Sequence, residues 1–305
     1  MAERIYTKLQ TIADNVQKVY NSGYKAGALQ GVQTQEKTVA PSAEIQEVLP
    51  DDGYALSKVT VGAVDKPFVD TSKITNFAYF FYQGLRMEII DKVQFQGYQF
   101  TNAFNGNTAI TKLPQGVLDI TNSAMDGTSM CLNATNLTEV ITEKWRGMNF
   151  NTTFKGCTAL TEVYAPNCNV NNAPSAFENC TSLESVVLGS CVSWISSMSN
   201  MFNNCKNIKT IIIKDIRKAL QIGSGSTWGH LLTVESLINT IKELVNTGSA
   251  LTLTMGSVNK AKIADVWCIV TDNTTTKMSI EIVDAGTEGA MTLENFARLK
   301  GWSIT

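Results

Sequence analysis

Phe154-Lys-Gly-Cys157-Thr-Ala-Leu160, Phe177-Glu-Asn-Cys180-Thr-Ser-Leu183 and Phe202-Asn-Asn-Cys205-Lys-Asn-Ile208 repeat one phrase: an aromatic, two residues, a Cys, two residues, an aliphatic. The spacings are 23 and 25 residues. A fixed period in the twenties marks a solenoid, in which each unit buries its apolar side only against its neighbours. Function then belongs to a surface rather than to a pocket.

Upstream, the aromatic phase continues at Phe104 and Phe81, and the following aliphatic at Ile110 and Met87. Between Phe104 and Phe154 lies a degraded unit, with Cys131 and Leu137 in the corresponding places. The result is a solenoid of about six units over residues 74–216, spaced 23, 27, 23, 23 and 25 residues apart. The position three after the aromatic reads Gly84, Asn107, Ala134, Cys157, Cys180 and Cys205. An Asn or Cys there satisfies turn backbone groups that would otherwise be buried unpaired. After each aliphatic comes a predicted strand. Alternation turns Val163 and Ala165, Val186 and Leu188, and Ile211 and Ile213 inward. One outward column is then mixed: Lys112, Glu139, Glu162, Ser185 and Thr210. The next is apolar: Pro114, Ile141, Tyr164, Val187 and Ile212. The core does not require that stripe. Either flanking segments of the chain cover it, or Ile141, Tyr164, Val187 and Ile212 form a contact surface.

Towards the amino terminus, residues 1–32 read as a coiled-coil-like helix. Ile5, Leu9, Ile12, Val16 and Val19 fall at alternating steps of 4 and 3, with Leu9 and Val16 at heptad position a and the others at d. Leu at a with Ile at d favours three or four strands, so a homotrimer is one expectation. An amphipathic helix docked on its own chain or on a partner is the other. Residues 33–73 read as a small β module, too short to bury a core alone. Within it Pro50-Asp51-Asp52-Gly53 is a turn signal. Turn chemistry accounts for Asp51 and Asp52 without a cation.

Beyond the repeats, residues 217–305 read as an α+β cap over the last open face of the solenoid. Gly223-Ser-Gly-Ser226 is a flexible link. A helix is predicted from Thr233 to Asn246 and a strand over Leu251–Met255. Further strands at Val266–Val270 and Met278–Val283 flank a turn at Asp272-Asn273. A last helix runs from Thr292 through Leu299, and a closing strand over Trp302–Ile304. Trp267, Phe296 and Trp302 are its expected core. The fold class as a whole is α+β.

The 305 residues carry a net charge of −2 with no basic patch, which argues against nucleic acid and anionic lipid as partners. No apolar run approaches the ~20 residues that span a membrane, so no membrane insertion is expected. The opening Met-Ala-Glu-Arg-Ile-Tyr lacks the apolar core of a signal peptide, so synthesis in a cytoplasm without Sec export is expected. There is no Cys-x-x-Cys, and the ladder cysteines share one structural phase. The single histidine, His230, has no zinc-ligand companions at useful spacing. No Gly-x-Ser-x-Gly elbow and no phosphate loop occurs. The reading is non-enzymatic, with no cofactor, metal or catalytic residue assigned.

Ser175-Ala-Phe-Glu-Asn-Cys-Thr-Ser-Leu-Glu-Ser-Val-Val-Leu188 resembles the BspA-type leucine-rich repeats of bacterial surface proteins. That resemblance covers residues 74–216 and implies adhesion and recognition. Leu9 to Tyr20, with Gly23-Tyr-Lys-Ala-Gly27, Glu36-Lys-Thr-Val-Ala-Pro-Ser and Pro50-Asp-Asp-Gly-Tyr-Ala-Leu-Ser-Lys-Val-Thr-Val, is similar to the amino termini of virion proteins of tailed phages and prophages of gut bacteria. The ending, with Leu251-Thr-Leu, Asn259-Lys-Ala-Lys-Ile and Lys300-Gly-Trp-Ser-Ile, is similar too, with a stretch around 266–290 inserted. These resemblances imply a virion structural protein, as fibre, baseplate or head appendage. Its amino-terminal part would join other virion proteins, and its solenoid would meet a host cell-surface protein or glycan. An architectural capsid-decoration or tail-assembly protein, or a cellular BspA-type adhesin, are the alternatives. They carry over no binding residue.

Overall fold

The computed structural model describes residues 44–45, 58–60, 68–70, 76–83, 95, 97–122, 124–225, 227–273 and 278–305. The seam residues Ile5, Leu9, Ile12, Val16 and Val19, the turn residues Asp51 and Asp52, and the phase residues Gly84 and Met87 lie outside the described residues. Within the stretch read as a small β module, β1 (Glu44–Ile45), β2 (Lys58–Thr60) and β3 (Phe68–Asp70) pair antiparallel in that order.

The repeats form a β-solenoid. Strands β5 (Glu139–Ile141), β7 (Glu162–Ala165), β9 (Ser185–Ser190) and β10 (Thr210–Lys214) make one parallel sheet. Its inward positions Val163, Val186 and Ile211 are fully buried, so the alternation read from the sequence is the observed one. Four units contribute a strand to this sheet. The preceding unit joins through a single bridge, Lys112 to Glu139.

Three of the coils also carry a second strand, which the sequence did not show. β4 (Met125–Asp126), β6 (Gly147–Asn149) and β8 (Asn169–Asn172) form a second parallel sheet. Bridges from Asn76 to Gln99 and from Gln99 to Asp126 extend it to the earlier units. These segments are short and Asn-rich, with little intrinsic strand preference. Stacking on the neighbouring coil makes them strands.

Between the second sheet and the next coil, three tight turns follow one another. In one unit they are Ala176 N–H to Ala173 O, Glu178 N–H to Ser175 O, and Cys180 N–H to Phe177 O. Two residues per unit take left-handed backbone there: Ser175 and Asn179 in this coil, Thr152 and Gly156 in the one before, Asn200 and Asn204 in the one after. Asn and Gly tolerate that conformation best, which explains the Asn-rich composition of these turns. The amides of Ala173, Ser175, Phe177 and Asn179 all point to the next coil and donate to the carbonyls of Ser197, Ser199, Met201 and Asn203.

The aromatic phase is buried throughout and forms two ring stacks, one on each side of Cys131. Phe154 and Phe177 lie 5.6 Å apart at 8°, and Phe177 and Phe202 lie 5.6 Å apart at 9°. Phe81 and Phe104 repeat this at 5.4 Å. A second inward ladder stands four residues earlier: Phe77, Phe100, Gly127, Phe150, Ala173 and Met198. Phe77 and Phe100 stack at 5.5 Å. At Gly127 any side chain would run into Met148, so the small residue there makes room for a large neighbour.

The solenoid ends on helix α2 (Val234–Lys242), shorter than the predicted run to Asn246. Thr233 caps it, accepting the Ser236 amide at 3.1 Å. Ser236 Oγ in turn accepts the amide of Ile211 on the edge strand β10 at 2.9 Å. The helix thus replaces the next coil. Beyond it β11 (Leu220–Gln221), β12 (Leu251–Thr254) and β16 (Trp302–Ile304) form a parallel sheet. β13 (Trp267–Asn273), β14 (Met278–Val283) and β15 (Met291–Thr292) form an antiparallel one.

Three expectations for residues 217–305 need correction, and one helix is additional to them. Helix α3 (Gly256–Ile263) was not predicted, because only Asn259 and Ile263 of it are buried and no apolar stripe marks it. Asp272 and Asn273 continue β13 rather than turning. Gly223 and Ser224 are not a loose link: Gly223 is buried against Met255 O, and Ser224 pairs with Trp228. Trp267 is only half-buried, whereas Phe296 and Trp302 are core. The last helix, α4 (Leu293–Leu299), starts on Thr292 as read.

Candidate functional site

The outward side of the four-stranded sheet places Ile141, Tyr164, Val187 and Ile212 directly beside one another, in register across β5, β7, β9 and β10. Ile141 is 47% exposed, and the other three are half-buried by their neighbours along the row. Pro114 does not belong to the row. It is buried, and it precedes the short helix α1 (Gln115–Leu118) as its N-cap.

Polar groups line both sides of the row. Glu139, Glu162, Ser185 and Thr210 form the neighbouring register line, and Glu139 pairs with Lys112. On the other side, Glu143 stands two residues beyond Ile141 and Lys214 two beyond Ile212, both exposed. The surface is therefore an apolar strip with carboxylates at the β5 end and an ammonium at the β10 end. It has the depth of a sheet face, not of a pocket, and it suits contact with another macromolecule.

The cysteine ladder is buried structure. Cys157, Cys180 and Cys205 direct Sγ at the carbonyls of Cys131, Phe154 and Phe177, at 3.0, 3.0 and 3.1 Å. Asn107 makes the same contact to Phe81 O at 3.1 Å with its amide. All seven cysteines are buried and free. Desolvation pushes the thiols of Cys168, Cys180 and Cys191 up to about 12, so they stay protonated. A protonated, sequestered thiol is a poor nucleophile at neutral pH.

His230 lies half-buried where the solenoid meets α2 and α3. Its Nδ1 is buried without a hydrogen-bond partner. Its carbonyl and that of Leu232 accept from Lys262 Nζ at 2.6 and 2.7 Å. Burial lowers the Lys262 pKa from its usual value. The cluster is a clamp between loop and helix. Among the described residues no group of three or more His, Cys, Asp or Glu is placed to hold a metal ion, and no helix is long and apolar enough to cross a membrane.

One exposed residue escaped the sequence reading. Trp194 is 75% exposed. The longer spacing from Phe177 to Phe202, 25 residues against 23 in the unit before, is taken up between Cys191 and Ser197, and Trp194 sits in that extra length. The lengthened period was the available signal.

The chain matches no curated protein and no solved structure. Residues 150–226 match the family profile of the BspA type leucine rich repeat region, in 6 copies, so this part of the chain, which holds the units of Phe154, Phe177 and Phe202, is similar to BspA-like leucine-rich-repeat proteins.

Proposed function

We propose that the protein is a non-enzymatic recognition and adhesion protein whose sheet face meets a host cell-surface protein or glycan. The observation that carries this reading is the in-register row Ile141, Tyr164, Val187 and Ile212 on the outer side of a parallel sheet, with Ile141 exposed and the other three half-buried. A solvent-facing apolar row costs solubility and adds nothing to the core, so a contact is its physical justification. The leucine-rich-repeat match supports the same class of role.

In the fuller form of this reading the protein belongs to a phage particle, as fibre, baseplate or head appendage. Residues 1–32 and 33–73 attach it to other virion proteins. Ile5, Leu9, Ile12, Val16 and Val19 assemble it as a trimer. What supports this is the similarity of the amino-terminal segments to virion proteins and the heptad spacing. Several copies on one particle would turn weak single contacts into strong attachment.

The test is adhesion of labelled full-length protein to candidate host cells, with its mass measured by light scattering. Binding that is lost in Tyr164→Ser with Ile212→Ser supports the reading. Binding unchanged by those substitutions overturns the assignment of the surface, and absence of binding to any host leaves an architectural particle component as the better account. Leu9→Asp with Val16→Asp should convert trimer to monomer; an unchanged mass overturns the seam.

A further inference from the structure

We propose that the sheet face mates with the same face of a second copy, about a two-fold axis that runs parallel to the strands and passes between β7 and β9. This goes beyond the adhesion reading, since it names an occupant of the face when no outside partner is bound.

The argument starts from register. Ile141, Tyr164, Val187 and Ile212 sit at one height along β5, β7, β9 and β10. A rotation about an in-plane axis parallel to the strands keeps that height and reverses the strand order. Ile141 of one copy then lies over Ile212 of the other, and Tyr164 over Val187. The apolar row covers itself, as the inner faces of a β-sandwich do at ~10 Å separation.

Charge selects this axis over the alternative. Glu143 and Lys214 lie on the same side of the row, Glu143 in the bend that follows β5 and Lys214 opposite Ser190, one residue further along because of a register shift in β10. Both are exposed, and neither has an ion-pair partner among the described residues. The axis parallel to the strands sets Glu143 of each copy against Lys214 of the other, twice per dimer. It sets Glu139 and Glu162 against the neutral Thr210 and Ser185. An axis along the row would instead bring Glu139 of one copy over Glu143 of the other, a like-charge contact, and leave Lys214 over Thr210 without a counter-charge. Isologous contacts of this kind are the usual geometry of self-complementary surfaces.

Size sets the strength. Four strands ~4.8 Å apart and three side-chain columns give a patch roughly 20 Å by 20 Å. That is about half of the ~800 Å² per partner of a stable complex. The dimer is weak and dissociates on dilution, so an outside ligand of the same face displaces it.

Sedimentation of the full chain from ~10 μM to ~1 mM tests this. Expected is a concentration-dependent doubling of the mass found at the lowest concentration, weakened by raised salt. Glu143→Lys alone and Lys214→Glu alone should each abolish the doubling, and the two together should restore it. No doubling at ~1 mM, or doubling that survives either single reversal, overturns the proposal. Failure of the double reversal to restore it, with the circular dichroism unchanged, overturns the stated axis. None of these outcomes depends on whether cells are bound, so the adhesion reading stands or falls separately.

Discussion

Cys205 Sγ reaches back across one coil to the Phe177 carbonyl at 3.1 Å, the distance at which Asn107 Nδ2 meets the Phe81 carbonyl near the other end of the stack. Two side chains of different chemistry do one job, which is to donate to a carbonyl of the preceding coil, as Cys157 and Cys180 also do, whereas Ala134 at the same position cannot. A thiol is a weak donor, but it is small and tolerates burial better than an amide.

Burial of those thiols couples stability to alkaline pH. Folded Cys168, Cys180 and Cys191 have pKa values pushed from 9.0 up to about 12. The unfolded chain therefore loses these protons first as pH rises. Stability is intact below pH ~8 and falls between ~9 and 12, the direction required for a raised folded-state value. At pH 10 the three thiols together cost the fold about 4 kcal/mol. Thermal unfolding followed by circular dichroism from pH 7 to 10.5 should show a flat region and then a steep fall. Replacing Cys180 with Ala should make that fall shallower. The native protein should not react with a thiol reagent at pH 8, whereas the denatured chain should react at all seven cysteines.

Thr152 carries the left-handed backbone of its coil at φ 51°. A β-branched residue pays about 1–2 kcal/mol to sit there. The same place is filled by Asn102 and Asn200 in other coils, and Asn tolerates the conformation. The Thr152 hydroxyl meets Ser129 Oγ at 2.7 Å, which offsets part of the strain and which an amide can replace. Thr152→Asn should raise stability by about 0.5–1 kcal/mol, read as an increase in the denaturant midpoint. A lower midpoint would show that the hydroxyl contact outweighs the strain.

The first sheet and the aromatic stack were legible because their residues are chemically uniform down each column. Val163, Val186 and Ile211 announce a buried strand by alternation alone. The second ladder was not legible. Phe77, Phe100, Gly127, Phe150, Ala173 and Met198 share a position but no residue type, because each coil fills the space its neighbours leave. The second sheet was hidden for a related reason: Asn169–Asn172 has no strand preference until the adjacent coil offers hydrogen bonds. The candidate surface was half legible. The apolar row followed from strand phase, but its end at Ile141 did not, since Pro114 is drawn inward by the turn into α1. Glu143 and Lys214 lie past the common register, Glu143 in the bend after β5 and Lys214 beyond a register shift in β10, so strand alternation alone could not bring them to one flank.

The strand phase itself can be tested at neighbouring residues. Val163 is fully buried while Tyr164, the next residue, is only half-buried on the outer row. Ile211 and Ile212 stand in the same relation. Tyr164→Ser and Ile212→Ser should each cost at most about 1 kcal/mol, because little apolar area returns to water. Val163→Ser and Ile211→Ser should each cost about 3 kcal/mol or more, since each opens a cavity and buries a hydroxyl. Urea unfolding of the four variants decides it. A one-residue slip exchanges inside for outside everywhere on a strand, so a reversed order of costs would move the entire row Ile141, Tyr164, Val187 and Ile212 into the core and remove the candidate surface with it.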